Sequence, residues 1–443
     1  MQFLRSLYFT NRLYLSLSGI VFLFVLAFFV PVLYVIAKVV AGLLLLFSLL
    51  DVFLLYRTRE GMFASRSMQE KLSNGSDNEI YLYLENKYTF AVHAEIIDEL
   101  PFQFQKRDNL FEAHIPKNRT HVLQYTIRPT KRGSYNFGAI NVFAIGMLQL
   151  VKRRYRFAQD QEASVYPSFI QMRQYELMAL SNRLQERGIK RVRRIGQSTE
   201  FEQIRSYVAG DDQRSINWKA SARRSELMVN SFQDEKSQQV YCLIDKGRVM
   251  QLPFAGLSLL DYAINAALVI ANIALKKQDK AGVITFSNNI SNILPAQRNA
   301  GQLRHILELL YNQKTMYQET DYERLYVTVR RKITQRSLLL LFTNFETLNG
   351  CQRQLPYLRA LAKHHLLVVV FFENTELQTL LYKPAATTEA VYTKTIAQQF
   401  DYNKRQIVKE LQQHGIHTIL TAPEQLTVNT INKYLELKAR GLI

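Results

Sequence analysis

Residues 240–245 read VYCLID, residues 258–277 read SLLDYAINAALVIANIALKK, and residues 280–288 read KAGVITFSN. The first and third are short apolar runs of strand length. The middle one is too long for a strand and suits a buried helix. Strand, helix, strand is the unit that sets two parallel strands side by side, because a parallel pair needs a long crossover. The alternation continues downstream. AGQLRHILELLYNQ (300–313) and TDYERLYVTVRRKI (320–333) have helical spacing, and SLLLLFTNF (337–345) reads as a strand. CQRQLPYLRALAKH (351–364) reads as a helix and HLLVVVFFEN (365–374) as a strand. A helix near 402–414 leads to HTILTAP (417–423), and LTVNTINKYLELKARGLI (426–443) is an amphipathic helix that covers the sheet. Residues 238–443 are expected to form an α/β, doubly wound, mostly parallel sheet.

Upstream, the pattern shortens to period two. EIYLYLEN (79–86), FAVHAEIIDE (90–99), THVLQYTIRP (120–129) and GSYNFGAINVFAI (133–145) alternate and are separated by turn residues. Residues 79–167 are expected to form a small β-sandwich. Residues 57–78 read as a polar juxtamembrane linker, and residues 168–237 as a helical connector followed by a charged motif.

The run from Leu13 to Tyr56 is almost wholly apolar, interrupted by Pro31, Lys38 and Asp51. One bilayer crossing takes roughly 20 apolar residues, and this run is about twice that. Two transmembrane helices, over 13–30 and 32–55, are expected within residues 1–56, with a short turn at Val30-Pro31. Arg5 and Arg12 precede them, and Arg57, Arg59, Arg66 and Lys71 follow, which places both ends in the cytoplasm by the positive-inside rule. Lys38 is expected to snorkel to the outer interface and Asp51 to lie near the inner one. The expected location is the bacterial inner membrane, with the soluble domains in the cytoplasm. Two cysteines, Cys242 and Cys351, suit a reducing compartment and have no metal-ligand spacing.

The formal net charge is +19. Much of the excess lies in Lys152-Arg153-Arg154 and in RGIKRVRR (187–194). An ordinary membrane-proximal surface competes here with a docking patch for anionic lipid or an acidic protein. Nucleic acid is disfavoured, because no recognition helix, zinc motif or aromatic platform accompanies the charge.

Residues 200–227 read EFEQIRSYVAGDDQRSINWKASARRSEL and carry the only Trp of the chain, Trp218. Asp211 and Asp212 after Gly210 can cap a helix, and Arg214, Ile216, Trp218, Lys219 and Ala222 fit a short one. Trp218 is expected to anchor this motif against the α/β domain. Glu200, Phe201, Arg205, Tyr207, Gly210, Asp211, Asp212, Arg214, Ile216, Trp218, Lys219, Ala220, Ala222 and Arg223 together resemble the signature of the domain-of-unknown-function 58 family. Arg132-Gly133-Ser134-Tyr135 and Gly138 resemble the RGxYxxG element of that family's β-domain. Where the family has an Asp-Pro turn, AIGML (144–148) stands instead. The resemblance implies two membrane helices, a β-domain, the motif and a von Willebrand factor A-like domain. It also implies a MoxR-type AAA+ ATPase as partner, and it brings no established reaction.

Von Willebrand A-like domains can hold Mg²⁺ with a DxSxS loop, a Thr and an Asp. By that resemblance Asp245, Thr320 and Asn344 are the metal candidates. Gly247 and Val249 replace the two serines, and Lys246 and Arg248 add opposing charge, so the site reads as degenerate and no cofactor is expected, with Mg²⁺ as the alternative. Adjacent carboxylates such as Asp211 and Asp212 do not face each other on a helix, and neither a phosphate loop nor GxSxG is present. The expectation is a non-enzymatic, membrane-anchored adaptor in assembly or maturation of envelope proteins. A Mg²⁺-dependent binding protein and a basic lipid- or nucleic-acid-binding module are the alternatives.

Overall fold

The computed structural model describes residues 5–105, 109–180, 200–208, 213–233, 237–382, 384 and 387–443. The chain divides into two units, Met1–Tyr166 and Pro167–Ile443.

The first unit opens with strand β1 (Leu7–Phe9) and two helices, α1 (Asn11–Ala27) and α2 (Val32–Arg57). Thr10 caps α1, its hydroxyl accepting from Leu13 N and donating to Gln149 O at 2.7 Å. With a mean hydropathy of 2.5, α2 is long and apolar enough to cross a membrane, and α1 is a shorter apolar helix. Large apolar side chains of this pair face outward, Leu15, Phe22 and Phe53 among them at 72%, 63% and 62% exposure. Water does not stabilise such a surface, and a bilayer would.

Ten further strands follow: β2 (Met62–Ser67), β3 (Lys71–Ser73), β4 (Asn78–Asn86), β5 (Val92–Asp98), β6 (Leu110–Ile115), β7 (Thr120–Ile127), β8 (Gly133–Phe137), β9 (Ile140–Ile145), β10 (Val151–Phe157) and β11 (Gln161–Tyr166). They form sheets β1-β10-β9-β5-β6, β2-β4-β7 and β3-β11-β8. Alternation buries one face of each, as with Ile80, Leu82 and Leu84 on β4. The stretch read as a juxtamembrane linker holds β2 and β3. Only one face of β2 is buried, so half its residues are polar and the run looks like a loop. Arg66, counted above as a flanking charge, is inside. Its guanidinium pairs with Asp98, both side chains being fully buried, and donates to Gly138 O at 2.9 Å, while Tyr125 OH also donates to Asp98.

Asp51 is the second interior charge of this unit. It is fully buried. Its carboxylate accepts from Leu148 N at 3.3 Å, Leu150 N at 3.1 Å and Val151 N at 3.2 Å. The turn between β9 and β10 therefore folds over a carboxylate supplied by α2. Gly146 is required there, because a Cβ on it would lie 2.0 Å from Asp51 Oδ1. The run Lys152-Arg153-Arg154 completes the junction and is no free basic patch. Lys152 pairs with Glu95. Arg153 donates to the carbonyls of Leu55 and Thr58 at 2.6 and 2.7 Å, satisfying the last turn of α2, and lies over the rings of Tyr56 and Tyr155. Arg154 donates to Asn141 Oδ1.

In the second unit, α3 (Phe169–Leu180) precedes β12 (Glu200–Ser206), α4 (Trp218–Arg224) and β13 (Met228–Gln233). Then come β14 (Gln239–Asp245), α5 (Leu259–Lys276), β15 (Lys280–Phe286), β16 (Ile290–Gln297), α6 (Gln302–Tyr311), α7 (Tyr322–Lys332), β17 (Leu338–Phe342) and α8 (Leu348–His364). The chain ends with β18 (Leu366–Phe372), α9 (Thr375–Tyr382), α10 (Thr388–Gln413), β19 (His417–Thr421) and α11 (Leu426–Ala439). The six-stranded order is β16-β15-β14-β17-β18-β19. All neighbours are parallel except the antiparallel edge strand β16. The chain thus winds outward from β14 in one direction and then in the other, which opens a crevice beyond the carboxyl ends of β14 and β17. One face packs on α5, α6 and α11, and the other on α7, α8 and α10. Helix α5 is apolar enough to pass as a membrane span, yet it is almost wholly buried, so it is the core helix of this sheet. A capping box between Ser258 and Asp261 starts it.

Replacing Asp51 with Ala leaves three backbone N–H groups of a buried turn without an acceptor, for an expected loss of about 3 kcal/mol. Thermal unfolding of the detergent-solubilised chain should show this, together with proteolytic cutting near residues 146–151. Gly146→Ala should weaken the same turn. Wild-type melting and protection in both variants would contradict the junction.

Candidate functional site

Strand β14 ends in Asp245, which is buried because both faces of the sheet are covered there. Burying a carboxylate is costly unless donors surround it. Gly247 N donates to Oδ1 at 2.8 Å, and Thr320 Oγ1 donates to the same oxygen at 2.6 Å. Thr343 Oγ1 donates to Oδ2 at 2.7 Å, with Tyr322 OH beside it at 3.4 Å. Tyr322 OH and Thr343 Oγ1 are themselves 2.6 Å apart. Burial pushes the Asp245 carboxyl above its ordinary range, and these four donors pull it back. Burial likewise lowers the Lys246 ammonium.

Asn344 follows β17 and does not join this network. Its Oδ1 accepts from Lys404 Nζ of α10 at 2.5 Å. Burial pushes Lys404 down to about 8, against the opposing pull of Glu346. The three metal candidates are therefore split. Asp245 and Thr320 are hydrogen-bonded to each other, while Asn344 is held by a lysine.

Mg²⁺ does not fit these residues. A hard dication needs several oxygen lone pairs directed at one point. Protein donors cover both oxygens of Asp245, and a tethered ammonium covers Asn344. Position 247 cannot supply a hydroxyl, because a Cβ on Gly247 would lie 2.1 Å from Thr320 Oγ1. Among the described residues there is no group of three or more His, Cys, Asp or Glu side chains arranged to hold a metal. Cys242 and Cys351 are buried thiols that burial pushes up to about 12, far from the reactive thiolate form.

Two cavities open beside this node. One, of about 160 Å³, is lined by Asp245, Thr320, Asn344, Thr347 and Arg353 among others. The other, of about 350 Å³, lies across Asn344 and Lys404.

The charged motif is not the continuous short helix read from its residues. Glu200 begins β12 and Arg205 is within it, and β12 pairs antiparallel with β13. Tyr207 N donates to Leu227 O at 2.7 Å. Arg214 sits in a single 3-10 turn over Gln213–Ser215, and α4 starts at Trp218. The cap of α4 is Asn217, whose Oδ1 accepts from Ala220 N at 3.0 Å. Gly210, Asp211 and Asp212 lie outside the described residues, as does the basic run 187–194. Trp218 is 70% exposed and so is not a buried anchor. Lys219 and Arg223 are also exposed on α4.

Residues 203–395 match the family described as protein of unknown function DUF58. A curated relative, the uncharacterized protein YeaD of Bacillus subtilis, is 27% identical over 256 residues, 56% of this chain and 61% of that protein. The chain thus spans about three-fifths of that relative's length. Among solved structures, the conserved hypothetical protein BatB from Bacteroides thetaiotaomicron is 11% identical with a TM-score of 0.29, covering 46% of this chain and all of that one. A CARDB domain from Pyrococcus furiosus is 13% identical with a TM-score of 0.17, covering 24% of this chain and 86% of its own.

Removing the Asp245 acceptor should destabilise the second unit. Asp245→Ala is expected to cost about 3–4 kcal/mol and Asp245→Asn less, since the amide retains one acceptor oxygen. Urea unfolding checks this, and equal losses in the two variants would contradict the network. Lys404 adds a pH signature. Its native value near 8 lies below its ordinary 10.5, so the unfolded chain holds the extra proton between them. Stability relative to Lys404→Met should therefore rise with pH across that window, and a flat difference would refute the assignment.

Proposed function

We propose that this chain is a non-enzymatic adaptor, anchored in the cytoplasmic membrane by α1 and α2, that holds a protein partner against cytosolic loops of its α/β unit. The observation that carries this reading is the Asp245 node. It occupies the place where open α/β sheets bind ligands, yet its polar atoms are turned inward and satisfied by one another. Such a rim is a shaped contact surface without the chemistry of a reaction centre. Loops on a rigid sheet serve recognition well, because the scaffold fixes their ends.

The strand order, with a single antiparallel edge strand, supports a von Willebrand A-like reading of the second unit. Resemblance in the motif and in the β-domain element favours a MoxR-type AAA+ ATPase as the partner, in assembly or maturation of envelope proteins. The outward apolar faces of α1 and α2 support the membrane anchor, and the basic flanks favour a cytosolic placement of the remainder. Neither alternative reading gains from a specific observation. The dication lacks a fitting ligand set, and Lys152, Arg153 and Arg154 are engaged inside the first unit.

Affinity capture from gently solubilised native membranes tests the proposal. The expected result is retention of an AAA+ ATPase by the wild-type chain and at least a severalfold loss with Arg353→Glu, an exposed change on the rim. Capture of nucleic acid without an ATPase, or retention of the ATPase unchanged by rim substitutions, would overturn it.

A further inference from the structure

At the end of the sheet opposite Asp245, the amino ends of β17 and β18 meet the last turns of α7 and α8. A cavity of about 460 Å³ opens there. Ile333 and Leu361 give it an apolar wall, and Arg330, Arg336, His364 and His365 give it polar groups. Among the described residues no carboxylate lines it. Both arginines are exposed. Arg330 donates to Tyr326 OH at 3.0 Å, and among the described residues neither it nor Arg336 has a carboxylate partner.

Basic residues at helix C-termini are ordinary, because they suit the helix dipole. That accounts for Arg331 and Lys332 in the last turn of α7 and for Lys363 in that of α8. It does not account for Arg336, which lies beyond α7 in the segment leading to β17. Nor does it account for His365, which is 6% exposed and whose Nδ1 is enclosed without a hydrogen-bond partner. Burial, with His364 beside it, lowers the affinity of this imidazole for a second proton. With Nδ1 closed off, Nε2 is the nitrogen left to serve the cavity that the residue lines.

We propose that this cavity binds a phosphate group. Arg330 and Arg336 each present a planar fork that matches two phosphate oxygens, and Nε2–H of His365 donates to a further one. Two guanidinium charges balance the charge of a phosphate monoester, which is close to −2 at neutral pH. A carboxylate would occupy one fork and leave the other idle. The apolar wall excludes water from one side and so strengthens these pairings. The group's bearer is either a soluble phosphorylated small molecule or a phospholipid with a monoester headgroup, and the same side chains hold both. The site is separate from the Asp245 face and stands independently of the adaptor reading.

The test titrates the full chain in neutral detergent micelles with inorganic phosphate by calorimetry, with chloride holding the ionic strength constant. The expected result is saturable binding of one phosphate per chain. Arg336→Gln and Arg330→Gln should each weaken it at least about tenfold, because each removes charged hydrogen bonds. Both should keep the wild-type melting temperature in the absence of phosphate. Arg359→Gln is the control, since Arg359 is exposed on α8 and lines a different cavity. It should stay within about twofold of wild type, as expected for a charge that makes no contact. Phosphatidic acid added to the micelles, against phosphatidylcholine, separates the two sources. Displacement of phosphate by phosphatidic acid, lost in Arg336→Gln, supports the site with a lipid as bearer. Phosphate binding that phosphatidic acid leaves unchanged supports it with a soluble bearer. Absence of saturable phosphate binding, or binding unaltered in Arg336→Gln, would overturn the proposal. So would equal losses in Arg359→Gln and Arg336→Gln, since the face would then act only as diffuse positive charge.

Discussion

A carboxylate out of water at the end of a parallel strand has to be surrounded by donors, and the second unit is arranged around that requirement. Asp245 gathers the backbone turn at Gly247, the loop at Thr320, the start of α7 at Tyr322 and the end of β17 at Thr343. Each would otherwise be a loop end free to move. An unpaired buried carboxylate would cost several kcal/mol, so the four contacts are mutually dependent. The residues present do not fit a dication at this place. The lone pairs a metal would need are already taken, and a Cβ at position 247 has no room.

The first unit applies the same principle with a different outcome. Asp51 comes from an apolar helix and is received by three backbone N–H groups of the β9–β10 turn. Arg153 returns the exchange by satisfying the carbonyls at the end of that helix. A buried acid and a basic side chain thus tie the helical pair to the β-sheets, each through backbone groups. Charges of this kind contribute definition of geometry more than net stability, because desolvation offsets much of the attraction.

How much of this could be read from the sequence follows from burial on one face or two. Strands β14, β17 and β18 are covered on both sides and appear as unbroken apolar runs, legible by inspection. Strand β2 buries one side and carries the interior Arg66, and β3 is only three residues long, so they looked like a linker. In the motif at 200–227 the charged residues conceal an antiparallel strand pair, β12 with β13, and Asn217 caps the helix that follows it. Asp245 and Thr320 were legible as a pair. Tyr322 and Thr343 stood next to recognised residues without a signal of their own. Lys404 is 60 residues from Asn344, and Leu148 is 97 from Asp51, separations over which spacing carries no information.

The central claim is that the face at the strand ends is complete without a metal. Electron paramagnetic resonance of Mn²⁺ added to the purified full chain tests it most directly, because Mn²⁺ takes the same hard oxygen ligands as Mg²⁺ and its free-ion signal disappears on tight binding. The account predicts a free signal equal to that in buffer at every addition. A loss of one equivalent per chain, restored by excess Mg²⁺ and absent in Thr320→Val, would contradict it.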